Sequence, residues 1–173
     1  DLEELSNTPK INLRGNPNDK NFITNAEKTL NAVLPTEPNT SNVNEKLTII
    51  WLGPNEWLIR IFEKQNFKNI FLELNNSLNT QNTAITDVTE NKTILKITGE
   101  NLYNLLSKFM IIDLDKILKK KSSVAQTIFT KVPVLIIRNH NKNEKQSIDM
   151  YINRSHTQYI LDLLLDGSKN INY

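Results

Sequence analysis

The sequence contains no cysteine and only two histidines. The absence of cysteine excludes disulfide bonds, thiolate nucleophiles and metal centres held by thiolates. The histidines, His140 and His156, lie in no motif with the spacing of metal ligands, such as H-x-x-x-H. No serine or threonine is placed by the sequence as a nucleophile for His156, so we interpret this histidine as a polar surface residue. We therefore expect no catalytic residue and no metal site in this chain.

Glycine is scarce as well, with four residues in a chain of 173. Neither the G-x-G-x-x-G motif of dinucleotide-binding folds nor a phosphate-binding P-loop can be assembled from them. This excludes nucleotide sites of those two kinds. We expect the chain to bind no cofactor by itself.

Neither sign of charge is in excess, since 21 lysines and arginines stand against 19 aspartates and glutamates. No continuous basic stripe is present that could neutralise a phosphate backbone, so nucleic acid is not an expected partner. The single basic run, KILKKKSS at 116–123, is more typical of a solvated loop or helix end than of a binding patch.

Long apolar runs are missing too. No stretch of eighteen apolar residues exists to span a bilayer, and the beginning DLEELSNTPK is polar and acidic, unlike a secretory leader. We expect no membrane partner and a cytoplasmic location.

What is present is an ordinary globular composition, with 38% hydrophobic and 23% charged residues. In the first half, KINLRG predicts a strand, and apolar residues recur every three or four positions from Phe22 to Val33, which predicts a helix. The polar segment 34–46 contains two prolines and predicts a loop. With the hairpin described below, a second helix and the strand TAITDV, residues 1–90 have the pattern β-α-β-β-α-β.

The second half, residues 91–173, begins with a strand in KTILKITGE and a helix after it. Three more strands are predicted, at 125–130, 132–138 and 147–152. A last helix follows, with Ser155 as its N-cap, Tyr159 on its buried face and Gly167 where it stops. The prediction is an α+β fold of two ferredoxin-like units packed together into one compact unit, with helices covering one face of each sheet.

Both tryptophans of the chain lie in one predicted hairpin, WLGPNEWLIR. β-Branched and aromatic runs at 47–52 and 57–62 flank the turn residues 53–56. Trp51 and Trp57 therefore lie on adjacent strands, where large aromatic side chains favour core packing. The alternative is that one of them contacts a partner. Trp57 is the first candidate, because it begins the second strand beside a rigid Gly-Pro turn.

Two arginines occupy similar positions in the two halves. Arg14 in LRGNP and Arg154 in INRS each follow a strand and precede a helix. A guanidinium group can bond two loops at once, so we expect hydrogen bonds to loop carbonyls or carboxylates. Both arginines are also candidates for a partner interface.

Six separated segments carry a family resemblance: LRGNPNDKNF, LPTEPNT, WLGPNEWL, DVTENKTILKITGE, AQT and DMYINRS. In order and spacing they resemble the gamma subunit of heterotetrameric sarcosine oxidases, from Ile11 to Gly167. That subunit is in turn similar to part of the aminomethyltransferase (glycine-cleavage T-protein) fold.

The resemblance implies a non-catalytic component that assembles or stabilises a flavoenzyme complex, which oxidatively demethylates sarcosine to glycine. The implied partners are an alpha (large) subunit with NAD and tetrahydrofolate sites, a beta subunit with FAD and a delta subunit with zinc, with FMN between alpha and beta. No catalytic motif transfers to this chain. Val124 stands before AQT where many members are expected to have cysteine, which argues against a redox role for that position.

Two alternatives remain open. One is a free-standing folate-binding protein of the aminomethyltransferase type, which would need carboxylates facing a pterin. The other is a subunit of a related N-methyl amine oxidase or dehydrogenase, because the substrate would be selected in another subunit.

Overall fold

The computed structural model describes residues 1–78 and 81–169. The chain divides into two compact units. We call Asn7–Thr89 the first unit, and Asp1–Ser6 together with Glu90–Tyr173 the second unit. The division near residue 90 lies close to the predicted one, but the first six residues belong with the second half of the chain.

Strands and helices are mixed along the described chain. In chain order they are β1 (Leu2–Glu4), β2 (Lys10–Arg14), α1 (Lys20–Leu30), β3 (Ser41–Val43), β4 (Leu47–Gly53), β5 (Glu56–Ile61), α2 (Lys64–Ser77), β6 (Ala84–Asp87), β7 (Lys92–Thr98), α3 (Leu102–Leu106), α4 (Leu114–Ile117), β8 (Val124–Phe129), β9 (Val132–Arg138), β10 (Ser147–Asn153) and α5 (Thr157–Ser168).

The first unit contains an antiparallel sheet with the strand order β3-β4-β5-β2-β6. Without β3, this is the strand order of a ferredoxin-like fold. The predicted succession β-α-β-β-α-β is found as β2, α1, β4, β5, α2 and β6. The strand β3 lies in the segment that we predicted as a loop. Its three residues are SNV, and only pairing with the edge of β4, from Ser41 opposite Ile50 to Val43 opposite Thr48, makes them a strand.

The helix α1 illustrates why the periodicity was informative. Asp19 caps its N-terminus, because the carboxylate accepts hydrogen bonds from the amides of Asn21 and Phe22. Asn31 ends it in the left-handed conformation, with φ 48°. The buried face then packs on the sheet and forms a core with β2, β4, β5 and α2. The fully buried members of this core include Ile11, Leu13, Ala26, Ile49, Trp57, Ile59, Ile61 and Leu74.

The second unit has the antiparallel order β1-β7-β10-β9-β8. The two strand orders correspond. In each unit, the strand before the first helix lies beside the strand before the last helix: β2 beside β5 in the first unit, and β7 beside β10 in the second. In the first unit the edge beside β2 is β6, which follows the last helix. In the second unit the edge beside β7 is β1, from the beginning of the chain, with Leu2 opposite Ile97. This pairing is why residues 1–6 belong to the second unit.

The last helix differs from the prediction at three positions. A 3₁₀ turn (Arg154–His156) precedes α5, and Ser155 is not its N-cap. Tyr159 is 48% exposed, so its assignment to the buried face was wrong. Gly167 lies inside α5 rather than beyond its end, at a position where the close approach of Phe109 leaves no room for a Cβ atom.

Within the described residues, no helix combines the length and the apolar character needed to cross a bilayer.

Candidate partner interface

The hairpin of β4 and β5 places Trp57 on the face of the sheet that α1 and α2 cover. Its side chain is fully buried, its indole Nε1 donates a 2.8 Å hydrogen bond to the carbonyl of Pro35, and its ring lies 5.7 Å from that of Phe22. Trp57 thus has no surface to offer to a partner. The structure corrects the proposal of Trp57 as an interface anchor and supports the alternative, core packing. Trp51, directly opposite Trp57, is partly exposed.

Arg14 ends β2 and lies opposite Glu56 in the ladder, on the other face of the sheet from Trp57. Its guanidinium is 3.6 Å from one oxygen of Glu56, and the amide of Asn12 donates to the other oxygen at 2.7 Å. Glu56 therefore joins two side chains of the neighbouring strand. The Arg14 side chain is 55% exposed and remains available to another molecule.

An open groove of about 450 Å³ borders Arg14. Three loops form it: the loop after β2, the turn of the hairpin and the loop before β6. The lining side chains are mostly amides and hydroxyls, including Asn16, Asn55, Asn82 and Thr83. Such a surface offers neutral hydrogen-bonding groups around one arginine, which suits an extended backbone or a polar side chain of a partner.

Arg154 belongs to the second unit and follows β10. Its guanidinium contacts the carboxylate of Glu90, and its backbone amide donates to the carbonyl of Asn91 at 3.0 Å. The Arg154 side chain is 67% exposed. Both arginines thus contact a carboxylate at the end of a strand pair, and their role in binding a partner remains a prediction.

One buried charge was not predicted from the sequence. Lys10, on the same face of its sheet as Arg14, is 2% exposed, and its Nζ donates to the carbonyl of Thr8 at 2.6 Å. Burial lowers the pKa of Lys10 to about 8; the charge of Arg60 acts in the same direction and that of Asp87 opposes it. The alternation of KINLR does place this lysine on the face opposite Ile11, but nothing in the sequence indicates that the face is covered.

The two histidines lie in different environments. His140 is buried, and its Nδ1 lies 2.9–3.0 Å from both the carbonyl oxygen and the amide nitrogen of Ser147. His156 is exposed, and Ser155 Oγ lies 3.3 Å from its Nδ1. In the part of the chain that the structure describes, no three His, Asp or Glu side chains cluster as metal ligands would.

The fold is similar to those of several solved structures. The chain resembles aminomethyltransferase T of the glycine cleavage system from Bartonella henselae, with a TM-score of 0.67 and 14% identity. The likeness covers 95% of this chain and 45% of that one. A chain of the heterotetrameric sarcosine oxidase from Corynebacterium sp. U-96, in complex with pyrrole 2-carboxylate, has a TM-score of 0.86 and 20% identity, with 99% of this chain and 85% of that chain covered. The regulatory subunit of aspartate kinase from Thermus thermophilus is more distant, with a TM-score of 0.52 and 9% identity over 96% of this chain and 97% of that one.

The family follows from the sequence itself. The chain belongs to the sarcosine oxidase, gamma subunit family, whose model matches residues 14–170. Compared with curated proteins, the sequence has no significant match. The family and the α+β fold expected from the resemblance are both confirmed.

Proposed function

We propose that this chain is a non-catalytic subunit that assembles or stabilises a heterotetrameric sarcosine oxidase. The observation that carries the proposal is the family match, which extends over residues 14–170. The fold similarity to a chain of a heterotetrameric sarcosine oxidase supports it. In this proposal the alpha, beta and delta subunits hold NAD, tetrahydrofolate, FAD, FMN and zinc, and the chain acts in the cytoplasm.

The exposed arginines support an assembly role within this proposal. Arg14 and Arg154 keep more than half of their side-chain surface exposed although each contacts a carboxylate. A guanidinium held by a neighbouring carboxylate is ordered before it binds, so it loses less conformational entropy when a partner docks.

Co-expression tests the proposal directly. The chain is tagged and co-expressed with the three proposed partners of the complex: a FAD-binding beta subunit, a large alpha subunit with a folate domain and a short zinc-binding delta subunit. We expect these proteins to co-purify with it in fixed ratio, and the complex, but not the isolated chain, to carry flavin absorbance and to oxidise sarcosine. Flavin retained at about one equivalent by the isolated chain, or no co-purification, would contradict the proposal.

The similarity to aminomethyltransferase T favours a second candidate, a free-standing folate-binding protein. Isothermal titration with tetrahydrofolate separates the two candidates. Stoichiometric binding by the isolated chain, without co-purification of other subunits, would favour the second.

A further inference from the structure

The segment 107–123, between α3 and β8, combines the most exposed apolar side chain of the described residues with a dense set of lysines. Ile111 is fully exposed, and Ile117, at the end of the one-turn helix α4, is 40% exposed. Among the 17 residues are five lysines and two aspartates, Asp113 and Asp115, in a chain whose total net charge is only +2. The exposed lysines of the segment are Lys108, Lys116, Lys119, Lys120 and Lys121.

The beginning of the segment is held in place by the second unit. The carbonyl of Phe109 accepts a 2.8 Å hydrogen bond from the amide of Thr130, and the Phe109 ring stacks on Phe129 with 4.9 Å between ring centres. The amine of Lys108 donates to the carbonyl of Gly167 at 2.9 Å. Ile111 therefore projects from a segment whose base is fixed to the sheet and to α5.

The end of the segment is held by a buried arginine. Arg138, in β9, is 9% exposed. Its Nη1 donates to the carbonyl of Leu118 at 2.7 Å, and its Nε donates to the carbonyl of His140 at 2.9 Å. This contact orders the backbone immediately before the three consecutive lysines. A guanidinium is well suited to this task, because its donors have fixed directions.

Glu144, whose carboxylate feels the charge of Lys121, is engaged in other hydrogen bonds. Glu144 accepts hydrogen bonds from the backbone amide and side-chain amide of Asn141, both at 2.7 Å. These bonds lower the pKa of Glu144, and the charge of Lys121 adds to the effect in the same direction. With Glu144 and the two aspartates of the segment set against its five lysines, the surface keeps an excess of positive charge.

A fully exposed isoleucine on a fixed segment is unfavourable in water and is stabilised by burial. The lysines of the same segment favour a partner surface with acidic groups. We propose that the segment 107–123 docks on a partner subunit whose surface has an apolar pocket for Ile111 within an acidic rim. The inference rests on the proposed function and adds the contact surface. Nucleic acid fits less well, because the aromatic ring of the segment, Phe109, is stacked inside the unit and is not available for bases.

Two variants of the complete chain test the surface in the co-expressed complex. Ile111→Asp removes the apolar contact, and the triple variant Lys119→Glu, Lys120→Glu, Lys121→Glu reverses the rim. We expect each to weaken association with the other subunits at least tenfold, measured by titration of the purified chain onto the immobilised remainder of the complex. The effect of charge reversal should shrink between about 0.05 M and 0.5 M salt, because salt screens exposed charges.

Matched controls lie in the first unit. Val33→Asp is the control for Ile111→Asp, because it replaces another exposed apolar loop residue by aspartate. The triple variant Lys28→Glu, Lys64→Glu, Lys68→Glu is the control for charge reversal, because it changes the sign of three other exposed charges. We expect these controls to bind as the wild-type chain does. All variants alter exposed side chains, so their melting temperatures should stay near that of the wild type.

The outcomes separate the two proposals. If the wild-type chain does not co-purify with other subunits, the proposed function fails. If the wild-type chain assembles and the 107–123 variants assemble equally well, the function stands and the docking surface is wrong. If the triple variant instead loses binding to duplex DNA while assembly is unchanged, the segment is a nucleic-acid surface and the inference is overturned. A photo-crosslinker at position 111 that captures a subunit, with none captured from position 33, would support it.

Discussion

The indole Nε1 of Trp57 donates a hydrogen bond to the carbonyl of Pro35, 22 residues earlier in the chain, at 2.8 Å. This bond joins the hairpin to the loop after α1 inside the core of the first unit. It explains why a polar, proline-containing segment has a defined place there. It also determines what replacement of Trp57 would change.

Replacement of Trp57 is expected to destabilise the isolated chain. Trp57→Ala should lower the free energy of unfolding by about 3–5 kcal/mol, because it leaves a cavity among packed side chains. Trp57→Phe should cost about 1–3 kcal/mol, because the buried carbonyl of Pro35 then lacks its donor. Urea unfolding followed by circular dichroism measures both. Trp51→Phe is the control: because Trp51 is partly exposed, this variant should lose less free energy of unfolding than Trp57→Phe. If Trp57→Ala were as stable as the wild type, the assignment of Trp57 to the core would be wrong.

The glycine inside α5 provides a second prediction. A Cβ at Gly167 would lie 2.7 Å from Cζ of Phe109, whose ring is stacked on Phe129. Gly167→Ala should therefore destabilise the chain by about 1–3 kcal/mol, although alanine is the better helix former by about 1 kcal/mol. Gly99→Ala is the matched control, because no atom lies within 4 Å of its Cβ position. Equal melting temperatures for the two variants would show that Phe109 moves aside without cost.

Burial of Lys10 predicts a pH dependence. Its pKa is about 8 in the folded chain and 10.5 ordinarily, so between these values the unfolded chain binds more protons. The contribution of Lys10 to the free energy of unfolding must then rise as pH increases from about 8 to 10.5. Lys10→Met should remove that rise. The measurement is the difference between wild type and variant in urea unfolding across this range.

Other groups titrate at alkaline pH in both proteins and therefore cancel in that difference. Burial lowers the pKa of Lys92 and raises that of Tyr103. A difference between wild type and Lys10→Met that stays constant with pH would contradict the lowered pKa of Lys10.

The arginine–carboxylate pairs should contribute little to folding. Arg14 and Arg154 are 55% and 67% exposed, and exposed ion pairs stabilise proteins by at most about 1 kcal/mol. We expect Arg14→Lys and Arg154→Lys to leave the melting temperature of the isolated chain almost unchanged. Their yield in the co-purified complex then measures any interface role separately. A loss of more than about 2 kcal/mol in either variant would indicate that the pair is structural instead.

Strand β1 comes from the beginning of the chain and pairs with β7, so its deletion should affect the second unit and leave the first unit unchanged. Deletion of residues 1–5 removes the partner strand of β7, including the hydrogen bond from the amide of Thr98 to the carbonyl of Asp1. Hydrogen exchange of the Thr98 amide should accelerate, whereas amides of the hairpin β4–β5 in the first unit should keep their rates. Unchanged protection at Thr98 would show that β1 contributes nothing to the edge of that sheet.

The local pattern of the sequence was sufficient for most elements of the fold. Helix α1 was predicted because Phe22, Ala26, Leu30 and Val33 recur at helical spacing; the assignment of Val33 was wrong, since the helix ends at Leu30 and Val33 is 63% exposed. The hairpin was predicted because a Gly-Pro-Asn-Glu turn separates two strand-like runs. These signals lie within a few residues of each other. The order and spacing of six segments also indicated the family, which the match over residues 14–170 confirms.

The tertiary structure decided the features that depend on distant residues. Whether Trp57 faces the core or a partner depends on Phe22 and Pro35. Strand β1 exists because Leu2 pairs with Ile97 and Glu4 with Leu95, far along the chain. Gly167 resembles a helix stop in the sequence, and only the position of Phe109 reveals a packing role. Periodicity shows which residues share a face of an element. What covers that face is determined by contacts that form only when the chain has folded.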